Sequence, residues 1–239
     1  MAAMLSVLST AAGAQAFRAE SMVHSGPANG AVPVQATVSD PELILLLSGL
    51  AKIESDLQLG MLFLQDGLSN AEGSHFAEPR VETYPNIKEG LVKAGIADFE
   101  ALLVALEAGG DKATVTAAYT EAITAIMRAR STLRPSAQDM LTSIVDQARA
   151  VADEMNPAGP TELQNYQDAW AMLMVARTQV DLLSRSQDAA IIEAAREMVS
   201  AFDNIIIEMP DPNAGGAVAF DPAPLLEVIT RLERLAGSV

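Results

Sequence analysis

The chain has 239 residues, half of them hydrophobic and 19% charged, which is enough apolar material for one domain with a sizeable core and too little charge for a disordered acidic tail. Lys and Arg number 15 against 31 Asp and Glu, for a net charge of −16, and a field of that sign repels phosphate backbones and anionic lipid, which excludes nucleic acid as a partner. With no Cys and only two His, disulfide scaffolds, thiolate metal sites, cysteine nucleophiles and multi-histidine cages are excluded as well.

In chain order, residues 1–16 are uncharged, carry an apolar stretch around Met4 and Leu8, and end Ala14-Gln15-Ala16. This is the small-x-small pattern of an export signal, although the basic residue that usually precedes the apolar stretch is missing. Residues 17–39, with His24, are rich in Ser, Gly, Pro and Ala without period, and read as a flexible arm. At Ser39-Asp40-Pro41-Glu42 a capping residue, a proline and an acid open a long helix. Its Leu43, Leu47, Leu50, Ile53, Leu57, Met61 and Leu64 step by three or four, so one stripe should face a core over some seven turns.

The same spacing predicts helices over 96–106, 113–133, 137–155, 163–183, 189–209 and 225–235. They are separated by Gly109-Gly110-Asp111, Arg134-Pro135-Ser136, Asn156-Pro157-Ala158-Gly159-Pro160, Ser184-Arg185-Ser186 and the long 210–224 segment. Only 204–208 hints at a strand. Residues 40–239 are therefore expected to form a single all-α domain, an up-and-down antiparallel helical bundle or two bundles sharing a wall, with a core of Leu, Ile, Val, Ala and Met. No segment reaches the ~18 uninterrupted apolar residues of a membrane span, so membrane insertion is not expected.

Chemistry concentrates at Gly73-Ser74-His75-Phe76-Ala77-Glu78-Pro79. If this stretch is helical, His75 and Glu78 project from one face three residues apart, and an imidazole and a carboxylate at that spacing can grip one cation. Glu54 lies on the apolar stripe of the first helix, where a carboxylate requires a cationic partner, whether metal, Arg or Lys. Asp56 lies on a neighbouring face and Glu82 one turn beyond Glu78. Pro79 interrupts that geometry by disfavouring helix at Glu78. The structural alternatives are a surface His–Glu pair and a buried ion pair between Glu54 and Arg177. The eleven Met are scattered as core filler.

Gly73-x-His75-x-x-Glu78 resembles the Gly-x-His-x-x-Glu signature of the imelysin family, exported bacterial all-helical proteins linked to iron uptake. A broader stretch, from about residue 40 to the C-terminus, is similar to a group of exported bacterial helical proteins. That group reads Glu-Gly-His, His-Phe-x-His-Pro, Glu-x-Tyr and Tyr-x-Asp-Ala-Trp. The counterparts are Glu54-Ser55-Asp56, His75-Phe76-Ala77-Glu78-Pro79, Glu82-Thr83-Tyr84 and Tyr166-Gln167-Asp168-Ala169-Trp170. Asp56 and Glu78 stand where the group has His, and this exchange of imidazole for hard oxygen suits iron or manganese better than copper. The resemblance thus adds Tyr84, Tyr166, Asp168 and Trp170 to the residues of interest, beside Arg177.

The expectation is an exported, periplasmic or secreted protein that binds a metal ion through His75 and Glu78 with Glu54 or Asp56, and Glu82 as an outlying candidate. Iron is the first expectation, with manganese, zinc, copper or no metal as alternatives. Delivery or sensing within a metal-uptake system, with a protein partner there, is expected rather than catalysis. The alternative is a cofactor-free interaction module whose 17–39 arm or 210–224 loop engages a partner. A metallopeptidase is disfavoured because no His-Glu-x-x-His pair exists.

Overall fold

Residues 41–66 are apolar on more than one face, and a helix of that kind can be stable only with neighbours on several sides. In the computed structural model, which describes residues 41–66, 74–213 and 215–237, this segment is α1 (Pro41–Asp66). The anticipated stripe is buried at Leu47, Leu50, Ile53, Leu57 and Met61, with Leu46 beside it, but so are Ile44, Ala51, Asp56, Leu59 and Phe63 on other faces. The helix is thus a wall between two sets of neighbours rather than a surface helix with one inward face. The export signal at 1–16, the arm at 17–39, the Ser39-Asp40 cap and Gly73 lie outside the described residues.

After α1 come α2 (Ser74–Glu78), a π-helical turn (Pro79–Thr83) and α3 (Tyr84–Lys93). Then follow α4 (Glu100–Ala108), α5 (Lys112–Leu133), α6 (Ala137–Glu154), α7 (Leu163–Leu183), α8 (Ala189–Glu208) and α9 (Ala223–Ala236). The fold is all-α, a helical bundle. Among the described residues the extended pairing is a single isolated bridge, Thr161 with Val218. Residues 204–208 are the last turns of α8 rather than a strand, because Phe202, Ile205 and Met209 continue its buried stripe.

Local chemistry accounts for the helix ends. Asp111, Ser136 and Asp188 cap α5, α6 and α8 by accepting from backbone N–H groups, and Ser136 and Asp139 form a reciprocal capping box. Arg134, at φ 49°, closes α5 in the left-handed region just ahead of Pro135.

Two cores flank α1. One gathers Leu46, Leu50, Ile53 and Leu57 of α1 with residues of α2 to α5, and the other is built from α6 to α9. Where α1 meets α7, a smaller cluster of Leu59, Phe63 and Ala171, with Trp170 packed on it, ties the two together. The second core lies against α1 because α1 packs on α6 and α7 as well as on α2, α3 and α5. Among the described residues no helix is long and apolar enough to cross a membrane.

The 210–224 segment is tied back to the helices at several points. Tyr166 donates its hydroxyl to the Pro210 carbonyl at 2.6 Å, Gln167 donates to the Pro212 carbonyl at 2.9 Å, and Thr161 and Val218 exchange two backbone bonds of 2.8 Å. Tyr166 and Gln167 are buried in doing so, so cutting out this loop removes hydrogen-bond partners of the core.

Candidate metal centre

The site lies where α1, α2 and α7 meet, and a glycine sets the spacing. A Cβ built on Gly60 of α1 would stand 2.8 Å from Cε1 of Phe76, so only glycine lets the short α2 lie this close. The ring of Phe63, also from α1, stacks on the His75 imidazole with 5.6 Å between centroids and 27° between planes. His75 and Glu78 are one turn apart on α2. Pro79 does not break the chain away from helix as anticipated: Glu78 keeps helical angles (φ −52°, ψ −45°) and the wider π turn takes up the proline ring.

His75 is 1% exposed, and its Nδ1 lies 3.4 Å from Oδ1 of Asp168 on α7 and 3.7 Å from Oε2 of Glu78. The two carboxylates are 12% and 14% exposed. Neither contact has hydrogen-bond geometry, and all three of these atoms are buried without a hydrogen-bond partner. Among the described residues, His75, Glu78 and Asp168 form the one group of three potential ligands, with the ligating atoms within 4.8 Å of one another. The other oxygen of Glu78 is positioned by Gln164 Nε2, which donates to Oε1 at 2.9 Å.

Electrostatics follow from this enclosure. Burial opposes a charge on His75, but Asp168 and Glu78 outweigh it and raise the imidazole to about 9. The same imidazole holds Glu78 below the usual carboxylate range against the opposing effect of burial. Asp56, on the α7-facing side of α1, is pushed up to about 7, chiefly by burial and, against the pull of Lys52, by the charges of Asp168 and Glu78. Lys52 Nζ donates to Asp56 Oδ1 at 3.2 Å, leaving Oδ2 buried and unpartnered. Glu154, at the end of α6, is raised by burial and then by the charge of Asp168. At neutral pH the metal-free site therefore holds an imidazolium and an ammonium among four acids.

The other candidates fall elsewhere. Glu54 does not join His75: positions 54 and 56 are about 200° apart around a helix, and Glu54 turns to α5, where it pairs with Arg130 and accepts from Gln58 at 3.0 Å. The Glu54–Arg177 pair is likewise replaced, since Arg177 is held by Asp203 at 2.8 and 3.1 Å. Glu82 is exposed on the π turn. Tyr84 is buried against Phe99 and donates to Asp98 Oδ1 at 2.7 Å, a tie between α3 and the loop before α4. Tyr166 anchors the 210–224 loop, and Trp170 packs against Phe63's cluster.

Asp168 is therefore the third member of the group, in the place given to Glu54 or Asp56. Lys52 and Gln164 escaped sequence reasoning. The one signal for Lys52 is its place four residues before Asp56 on the same helix face. Two ligand atoms on one ion at bond lengths of about 2.1 Å stand roughly 3.0–3.4 Å apart, so the 3.4 and 3.7 Å separations need only a small contraction. No family model matches the chain, and neither the curated proteins nor the solved structures provide a match.

Proposed function

We propose that the protein binds a transition-metal cation at His75, Glu78 and Asp168, with iron(II) the first candidate and manganese(II) the second, and that it delivers or senses this metal rather than using it in catalysis. The observation that carries the reading is the convergence of three buried ligand atoms, one nitrogen and two oxygens, none with a hydrogen-bond partner. In the metal-free protein the His75 imidazolium offsets part of the charge of Glu78 and Asp168 without hydrogen-bonding to either, and a metal ion bonded to all three atoms would satisfy them directly. One imidazole with two carboxylates is a donor set for iron or manganese rather than copper. Three protein ligands leave coordination positions for water or a transferring ligand, as a carrier requires. The net charge of −16 raises the cation concentration near the surface. The likeness of Gly73-x-His75-x-x-Glu78 to the imelysin signature points the same way, and an exported carrier in a metal-uptake system is the setting we infer.

Metal must displace the proton of His75, so affinity should rise with pH up to about 9. Anaerobic titration of the chelator-treated protein with iron(II) at pH 7.5 should give one ion per chain, and calorimetry in two buffers should report about one proton released. His75→Ala should weaken binding at least 100-fold. No stoichiometric iron(II) or manganese(II) binding by the wild-type chain, or equal binding by His75→Ala, overturns the proposal.

A further inference from the structure

Asp56 is an outlier among the acids at this centre. It is 1% exposed, deeper than either carboxylate of the proposed set, and a carboxylate so placed normally uses both oxygens. Only Oδ1 has a partner, Lys52, while Oδ2 is enclosed and bonded to nothing. Its place on α1 gives the direction: Asp56 lies one and two turns before Gly60 and Phe63 on one side of the helix, and those two positions meet Phe76 and His75 of α2.

Lys52 is the complement. Burial works against its charge, but Asp56, Asp168 and Glu78 together hold it protonated. Its side chain is 29% exposed, and its long stem can carry the ammonium out to water without moving α1. The ammonium is thus a movable cation, paired with Asp56 and near enough to Asp168 and Glu78 for their charges to act on it.

We propose that Asp56 is a fourth metal ligand, masked in the metal-free protein by Lys52, whose ammonium serves as a tethered substitute for the metal's charge and withdraws when the ion binds. This rests on the metal reading above and adds to it a regulation of affinity. Without a cation, four acids this close would repel one another, and Lys52 offsets part of that repulsion. With metal, the positive charge is supplied at the centre, Lys52 loses its hold and an Asp56 oxygen completes the coordination. Because ammonium and metal exclude each other, Lys52 lowers the affinity and so favours release, which a carrier needs.

The test titrates manganese(II) by calorimetry and records cobalt(II) visible spectra at pH 7.5. The proteins are full-length wild type, Asp56→Asn, Lys52→Gln and the double variant, with melts in chelator to check folding. Lys52→Gln should bind manganese(II) about tenfold more tightly than wild type. Asp56→Asn should lose at least tenfold, should lose it again in the Lys52→Gln background where the competitor is gone, and should alter the cobalt(II) band as one oxygen ligand leaves. Asp56→Glu keeps the charge and the Lys52 pairing but displaces the oxygen, so it too should shift the cobalt(II) band. An unchanged cobalt(II) spectrum in both Asp56 variants, with unchanged manganese(II) affinity in Asp56→Asn on the Lys52→Gln background, makes Lys52–Asp56 a structural pair and overturns this proposal alone. Absence of metal binding by the wild-type chain overturns both.

Discussion

Raising the pH of the metal-free protein should destabilise it, and His75 determines where. A group whose pKa is higher folded than unfolded contributes stability that is complete below its unfolded value and is lost as pH rises through its folded value. For His75 these bounds are 6.5 and about 9. A difference of that size corresponds to about 3 kcal/mol. The burial of His75 at 1% exposure means that water does little to screen its pairing with Asp168 and Glu78.

Asp56 adds a loss of the same sign at lower pH, because its carboxyl is raised to about 7 and folding is penalised as it ionises. Urea unfolding of the chelator-treated chain between pH 4 and 10 measures the sum, and His75→Gln isolates the imidazole. At pH 6 the variant leaves Glu78 and Asp168 without their cation and should be less stable by about 3 kcal/mol, whereas by pH 10 the two proteins should converge. Proton NMR offers a direct check: the His75 imidazole should titrate near 9. A stability difference independent of pH, or a His75 titration at the ordinary imidazole value, refutes the imidazolium between carboxylates.

Gly60→Ala gains about 1 kcal/mol of helix propensity but drives a Cβ to 2.8 Å from the Phe76 ring, and overpacking of this kind costs about 1–3 kcal/mol. The net loss in a thermal melt should be small, while manganese(II) affinity should fall clearly, since the displaced element is α2 with both of its ligands; unchanged affinity would mean that α2 does not depend on this contact. Glu54→Gln should cost about 3 kcal/mol in urea, because it leaves Arg130 without its charge partner, and should leave metal binding unaltered. Weakened metal binding with unchanged stability would return Glu54 to the site.

What could be read along the chain was whatever local periodicity and punctuation control. The apolar steps from Leu43 to Leu64, and the stops at Gly109-Gly110, Arg134-Pro135 and Ser184-Arg185-Ser186, locate α1, α5, α7 and α8 closely, because spacing and breakers act within a few residues. His75 and Glu78 were likewise legible as a pair, being one turn apart in a single helix.

Which partners faced them was not legible. The burial of α1 on several sides hides in a sequence whose polar residues are spread around the helix rather than gathered on one face, and such a pattern cannot say which neighbour each side meets. So Glu54 could be assigned to a metal or to Arg177, while packing turns it to Arg130 on α5, and Asp168, 93 positions from His75, enters the site only because α7 lies against α1 near Phe63 and Trp170. Sequence reports the chemistry that each residue carries and the helix that presents it. The choice of partner belongs to the tertiary structure, because it depends on the rotation of each helix about its own axis, and that rotation is set by how two cores pack against one shared wall.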